Sequence, residues 1–139
     1  MIILDTNVIS EILRPAPERH VIDWLAALDG STVYLTAITE AELRHGVAIL
    51  PEGKRRNDLA EMIDQIIRED FAGRILPFDS PAAPAFAAIA AARRALGRPI
   101  AHADCQIAAV AQVNAATVAT RNTSDFADCG ITLINPWNA

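Results

Sequence analysis

Met1-Ile-Ile-Leu-Asp-Thr-Asn-Val-Ile-Ser-Glu11 opens the chain and holds its first decisive change of pattern. Ile2, Ile3 and Leu4 are apolar without alternation, as in a strand covered on both faces of a parallel sheet. Asp5, Thr6 and Asn7 break the run with residues that favour turns and helix N-caps, and a helix-like segment follows from Val8 to Leu13 before Pro15. A carboxylate where a first strand turns into a helix stands where open α/β sheets bind ligands. Taken alone, Asp5 needs no role beyond capping, so its meaning depends on what the fold brings beside it.

The same alternation continues outward. Val21, Trp24, Leu25 and Leu28 recur at helical spacing, and Val33–Thr36 reads as a second strand. Thr39 then has the position of an N-cap, with Glu42 three residues on at capping-box spacing. Leu59, Met62, Ile63, Ile66 and Ile67 form the apolar stripe of a longer helix that Gly73 ends. Arg74–Phe78 is a third strand, placed near an edge by Pro77. Asp79 or Ser80 caps an Ala-rich helix from Pro81 to Leu96, closed by Gly97. Another helix runs from Pro99 to Val113, with Asp104 and His102 beside its apolar stripe. Thr117–Thr120 and Thr132–Asn135 supply two last strands. Strands alternating with helices predict one α/β domain over residues 1–139, a parallel sheet flanked by helices.

The composition fits that architecture. A chain of 139 residues that is 52% apolar, with few aromatics and much Ala, buries a sizeable core without staples. No apolar run approaches the ~20 residues of a membrane span, and no leader pattern is present, so the cytoplasm is the expected compartment. Cys105 and Cys129 lack metal-ligand spacing and are expected to be reduced and structural. The net charge of −5 speaks against a simple nucleic-acid binder. An acidic metal site would account for part of it.

In a parallel sheet the strands point one way, so Asp5 after the first strand, Glu42 in the helix after the second, and Asn122 and Asp125 after the fourth meet along one edge. Asp104 joins them if its helix starts there. Converging carboxylates repel one another, and a divalent cation relieves that cost. Oxygen ligands suit Mg2+ or Mn2+, and no Cys or His set suits zinc. The implied chemistry is metal-activated water attacking a phosphodiester. Each residue also has a plain alternative: Glu42 as the capping-box acid, Asp104 on a solvated face, Asn122 and Asp125 as turn formers. His45 and His102 are expected to be local hydrogen-bonders rather than ligands. Spacing alone leaves the two readings open.

The motifs themselves resemble a known family. Ile3-Leu-Asp-Thr-Asn-Val8, Thr39-Glu-Ala-Glu-Leu-Arg-His-Gly46, Ala103-Asp-Cys-Gln-Ile-Ala-Ala109 and Thr120-Arg-Asn-Thr-Ser-Asp-Phe126 are similar, in order, to the four motifs of PIN-domain ribonucleases. With Asn135-Pro-Trp137 they resemble the VapC toxins, in particular the FitB-like subgroup. The resemblance implies a five-stranded parallel sheet, Mg2+- or Mn2+-dependent cleavage of RNA, a homodimer, and a cognate VapB-type antitoxin through which the complex reaches DNA. It implies Asp5 and Asp104 as metal ligands, Glu42 and Asp125 as further acids, and Asn7 and Thr120 as residues orienting a ligand or water. Asn122 departs from members with Asp immediately after Thr-Arg, and it supplies no formal charge. Arg44 and Arg121 flank the motifs as candidates for RNA or antitoxin contact, unless they pair with neighbouring carboxylates.

Two other functions compete. A catalytically weak module could serve mainly as partner of a DNA-binding antitoxin, a reading that Asn122 motivates. An aspartyl phosphotransferase using Asp5 as nucleophile is the weaker one, because such enzymes place a second acid two residues on and position 7 is Asn.

Overall fold

Ile2–Leu4 forms the central strand, β1, of a five-stranded sheet in a computed structural model that describes all residues from Met1 to Ala139. Its parallel neighbours are β2 (Val33–Thr36) and β4 (Thr117–Ala119), so that Ile3 lies opposite Tyr34 on one side and Val118 on the other. The outer strands are β3 (Ile75–Leu76), beside β2, and β5 (Leu133–Ile134), beside β4. The order is therefore β3-β2-β1-β4-β5. The chain winds outward from β1 through β2 to β3, then returns to the other side of β1. That reversal opens a crevice beyond the C-terminal ends of β1 and β4, the place where such sheets bind ligands.

Six helices cover the two faces: α1 (Thr6–Ile12), α2 (Arg19–Ala26), α3 (Ala37–Ala48), α4 (Lys54–Gln65), α5 (Ala82–Ala95) and α6 (His102–Val113). Successive strand residues point to opposite faces. Ile3 and Val118 join one core with Ile89 of α5 and Ile107 and Val110 of α6, while Leu4, Leu35 and Ala119 join the other with Val8, Leu43 and Ile63. Burial on both faces is why Ile2–Leu4 shows no polar alternation. Each fully buried Ile or Leu here stabilises the fold by roughly 1.5–3 kcal/mol. The run Ile107–Ala111 is wholly buried, and its small side chains let α6 lie close to both sheet and α5.

The sheet, its direction and the edge position of β3 follow the sequence expectations. Four local details differ. Helix α3 is capped by Thr36, whose Oγ1 accepts the Thr39 N–H at 3.1 Å, and not by Thr39. Thr36 serves as both last residue of β2 and helix cap, which moves the start back three residues. Neither the Asp79 nor the Ser80 side chain caps α5; their carbonyls accept the N–H groups of Ala82 and Ala83 instead. Helix α6 begins at His102 rather than Pro99, with Ala101 extended before it. Helix α4 passes into a π-helical turn at Ile66–Asp70 before Gly73, whose φ of 75° suits only glycine at no cost. Of the expected α4 stripe, Ile63 and Ile67 are buried, but Met62 is 43% exposed.

Candidate active site

Asp5 leaves β1 in an extended conformation and caps α1, its Oδ1 accepting the Thr6 N–H at 2.8 Å. Its other oxygen, Oδ2, accepts the Thr120 hydroxyl at 2.8 Å. The cap and the proposed ligand are thus one side chain, and it is buried. Thr120 directly follows β4, and its buried Oγ1 also accepts the Asn7 Nδ2 at 3.3 Å and the Asn122 N–H at 3.1 Å. Asn7 in turn accepts the Arg121 N–H at 3.3 Å through Oδ1. One hydroxyl therefore ties the start of α1 to the turn after β4, across the switch point of the sheet.

Glu42 lies one turn into α3, and Thr36 has taken the capping role that its spacing suggested for Thr39. Its Oε1 instead accepts the Thr6 hydroxyl at 2.7 Å. Thr6 Oγ1 also lies 3.1 Å from Thr39 Oγ1, so the second motif is held to the first by threonines. Asp104 stands in the first turn of α6 and is half-buried. Asp125 lies in the 3-10 turn Thr123–Phe126, anchored below by the buried Phe126. His102 stays outside this cluster against the Phe86 ring, with centroids 5.0 Å apart.

Two residues to which the sequence reading gave no site role hold the arrangement. Thr6, read as a turn or helix-cap former, fixes Glu42. Arg93, buried in the Ala-rich α5, donates from Nη1 to the carbonyls of Asp125 (2.9 Å) and Ala127 (3.0 Å) and from Nε to that of Arg98 (2.8 Å). It grips the backbone of the loop that carries Asp125. Adjacent in an Ala-rich helix, Arg93 and Arg94 give no sign in the sequence of which faces inward.

The electrostatics show that the acids share one environment. Burial pushes the Asp5 carboxyl up, the hydrogen bonds from Thr120 and Thr6 oppose the shift, and Glu42 and Asp125 add to it. The Asp104 carboxyl is pushed up to about 6, first by burial and then by the negative charges of Asp5, Asp125 and Glu42, against which Arg93 acts weakly. No hydrogen bond contributes to holding Asp104 ionised. Such a carboxylate is what a cation would stabilise most.

The donor set fits a hard divalent ion in one particular way. No three His, Cys, Asp or Glu side chains stand close enough together to form a closed ligand cage. A site for Zn2+ or a tightly ligated Ca2+ would need one. Mg2+ keeps several waters and takes only one or two carboxylates directly. Asp5 and Asp104, the two carboxyls of the crevice that burial pushes up, could serve as those two.

The flanking arginines differ sharply. Arg44 is engaged at 2.8 Å by both Glu40 and Asp64, tying α3 to α4; the pairing alternative holds for it. The exposed Arg121 guanidinium lies over the Trp137 ring, 5.1 Å from its centroid. On the other side of Glu42 a groove of about 1110 Å³ runs between α1, α3 and α4, starting at Thr6 and Glu42 and floored by Leu43, Val47, Leu59, Met62 and Ile63, with Lys54 and Arg55 at its rim. Of the expected α4 stripe, Ile67 is buried in the core, Ile63 is buried at the floor of this groove, and Met62 is exposed in it.

Known proteins resemble this one over nearly its whole length. The family model for the PIN domain matches residues 2–130. Toxin FitB of Neisseria gonorrhoeae is 51% identical over 138 residues, 99% of either chain. VapC ribonuclease Y4jK of Sinorhizobium fredii is 45% identical over 137 residues, covering 99% of this chain and 98% of that one. A solved structure of FitAB bound to an IR36 DNA fragment superposes with a TM-score of 0.93 at 51% identity, covering 99% of this chain and 96% of that one. Matched in sequence over nearly the whole chain and in fold by a solved relative, the protein belongs to the PIN-domain family.

Proposed function

We propose that this protein is the toxin of a VapBC-like toxin–antitoxin pair and acts as an endoribonuclease requiring Mg2+ or Mn2+. The observation that carries the reading is Asp104, a half-buried carboxylate raised to about 6 among three other acids with no protein donor to hold its charge. Kinship with FitB and with a VapC ribonuclease supports it. Asp5 and Asp104 would hold the ion, which would supply an activated water and offset the charge developing on the phosphate. Thr120 and Thr6 fix Asp5 in one orientation. Thr6 holds Glu42 by its carboxylate, Asn7 and Asn122 steady Thr120, and Asp125 would add negative charge beside the ion. Fixed donors and acceptors of this kind lower the reorganisation that the reaction demands.

The apolar groove is the seat of the antitoxin, an amphipathic segment that lays its apolar face on Val47, Leu59 and Met62 and ends beside Glu42. FitAB in complex with DNA supports a role for the assembly in operator binding, with DNA reached through the antitoxin. The chain acts in the cytoplasm as a homodimer; no helix is long and apolar enough to cross a membrane.

Incubating the purified protein with structured RNAs and Mg2+ or Mn2+ tests the nuclease reading, with Asp5→Asn and Asp104→Asn as controls. Cleavage that both variants and EDTA abolish supports it, and equal cleavage by wild type and variants sinks it. The competing reading, a catalytically weak partner of the antitoxin, draws on Asn122, which offers a backbone N–H to Thr120 but no charge. Growth arrest on expression without antitoxin, lost in Asp5→Asn, excludes that alternative.

A further inference from the structure

Asn135-Pro136-Trp137 is not used by the acidic site, yet it is built into the rim beside it. Asn135 Oδ1 accepts the Trp137 N–H at 2.9 Å, and Asn135 Nδ2 donates to the Arg121 carbonyl at 3.5 Å. Pro136 is buried and Trp137 is half-buried against the core that contains Leu4 and Val8. One side of the indole is thereby fixed, and the Arg121 guanidinium covers the ring at 5.1 Å. The Arg121 backbone is held as well, its N–H by Asn7 Oδ1 at 3.3 Å. Arg121 thus directly follows Thr120, the residue that grips Asp5, and is braced from both sides.

What the guanidinium lacks is a partner. No salt bridge engages it; Glu11, whose carboxyl feels its charge only at a distance, is itself taken by Arg14 and the Glu18 N–H. Arg44, by contrast, is neutralised by two carboxylates. A cation stacked on an aromatic keeps its in-plane N–H fork free, and that fork matches the oxygens of a phosphate. Arg121 also lies outside the apolar groove, whose lining includes neither it nor Trp137.

We propose that Arg121, positioned by Trp137 and Asn135, is an RNA-phosphate anchor that seats the strand next to the scissile bond. The inference rests on the ribonuclease reading above and names its substrate contact: Arg121 binds a phosphate flanking the one that is cut, and Trp137 acts through Arg121. The Asn135–Trp137 motif is then a bracket for one guanidinium.

Binding of a fluorescein-labelled 12-nucleotide single-stranded RNA, followed by anisotropy across a salt series, tests this in an Asp5→Asn background that does not cleave. Arg121→Ala is expected to weaken binding about tenfold at low salt and to lower the slope of log affinity against log salt by about 0.7, one single-strand phosphate. Arg121→Lys keeps the slope with intermediate affinity. Trp137→Leu loses about threefold, and Trp137→Phe restores it; thermal melts of each variant separate this from unfolding. Arg121→Ala binding within twofold of its parent with an unchanged slope overturns the proposal, as does unchanged RNA binding with a weakened antitoxin complex. Absence of RNA binding by the parent itself defeats the ribonuclease reading, and the proposal falls with it.

Discussion

Thr120 Oγ1 and Asp5 Oδ2 meet at 2.8 Å although 115 residues separate them. Their strands are neighbours only because the chain reverses its winding between β3 and β4. The hydroxyl does two jobs at once: it satisfies a buried carboxylate and orients it. Asp5 also receives the Thr6 N–H, so its two oxygens are held from two different strands' ends.

Thr120→Val keeps the shape of the side chain and removes that donor. A hydrogen bond to a charged group contributes about 1.5–3 kcal/mol, and the destabilisation measured by urea unfolding should fall in that range. Thr120→Ser should stay within about 1 kcal/mol of wild type, since it retains the hydroxyl. Equal losses in both would mean that packing, not the hydrogen bond, sets the effect.

Asp104 gives the metal-free protein a distinctive pH dependence. Its folded carboxyl is raised from 3.8 to about 6, so between those values the native state keeps a proton that the unfolded chain has released. Native protons in excess mean that stability falls as pH rises through this window. The contribution is on the order of 1 kcal/mol once its half-exposed position is allowed for. Asp104→Asn should flatten this part of the curve. Mg2+ or Mn2+ at neutral pH should raise the melting temperature of wild type more than that of the variant; an equal rise would separate Asp104 from the ion.

Arg93 should behave as a structural residue with a catalytic echo. Arg93→Met leaves the carbonyls of Asp125, Ala127 and Arg98 without their donor, and each such loss costs about 1–3 kcal/mol. Unfolding should show a destabilisation of about 3 kcal/mol or more. Cleavage by the fraction that remains folded should also fall, because Asp125 rides on the released loop. Full specific activity in that fraction would detach Asp125 from the chemistry.

Met62 tests the groove independently of the nuclease site. It is 43% exposed, so Met62→Asp should change stability by no more than about 0.5 kcal/mol. Affinity for the purified cognate antitoxin should drop about thirtyfold or more, as for a central apolar contact, while RNA cleavage continues. Titration calorimetry decides it, and an unchanged affinity would place the antitoxin elsewhere.

Local pattern was a good guide wherever one physical effect dominated. The unbroken run Ile2–Leu4 could be covered on both faces only in the middle of a sheet, and there it is. Pro77 sits just past the two-residue edge strand β3, as a residue without a ladder donor must. The misreadings came where a residue had two uses. Thr36 completes β2 and caps α3, so the capping-box spacing of Thr39 and Glu42 pointed to the wrong cap while Glu42 was already held by Thr6. Arg93 was illegible for a different reason. Its partners are backbone carbonyls, which carry no residue identity, and Asp125 and Ala127 lie more than thirty residues ahead in the chain.

The sheet order also dictates when the acidic crevice can come into being. A chain grown only to the end of α5 carries Asp5 and Glu42 but neither Asp104 nor Thr120, and β1 still has one side unpaired. Asp5 then lacks its second donor and its acidic neighbour on α6. The crevice is therefore a property of the finished chain, and a nascent or truncated polypeptide on the ribosome cannot assemble it early.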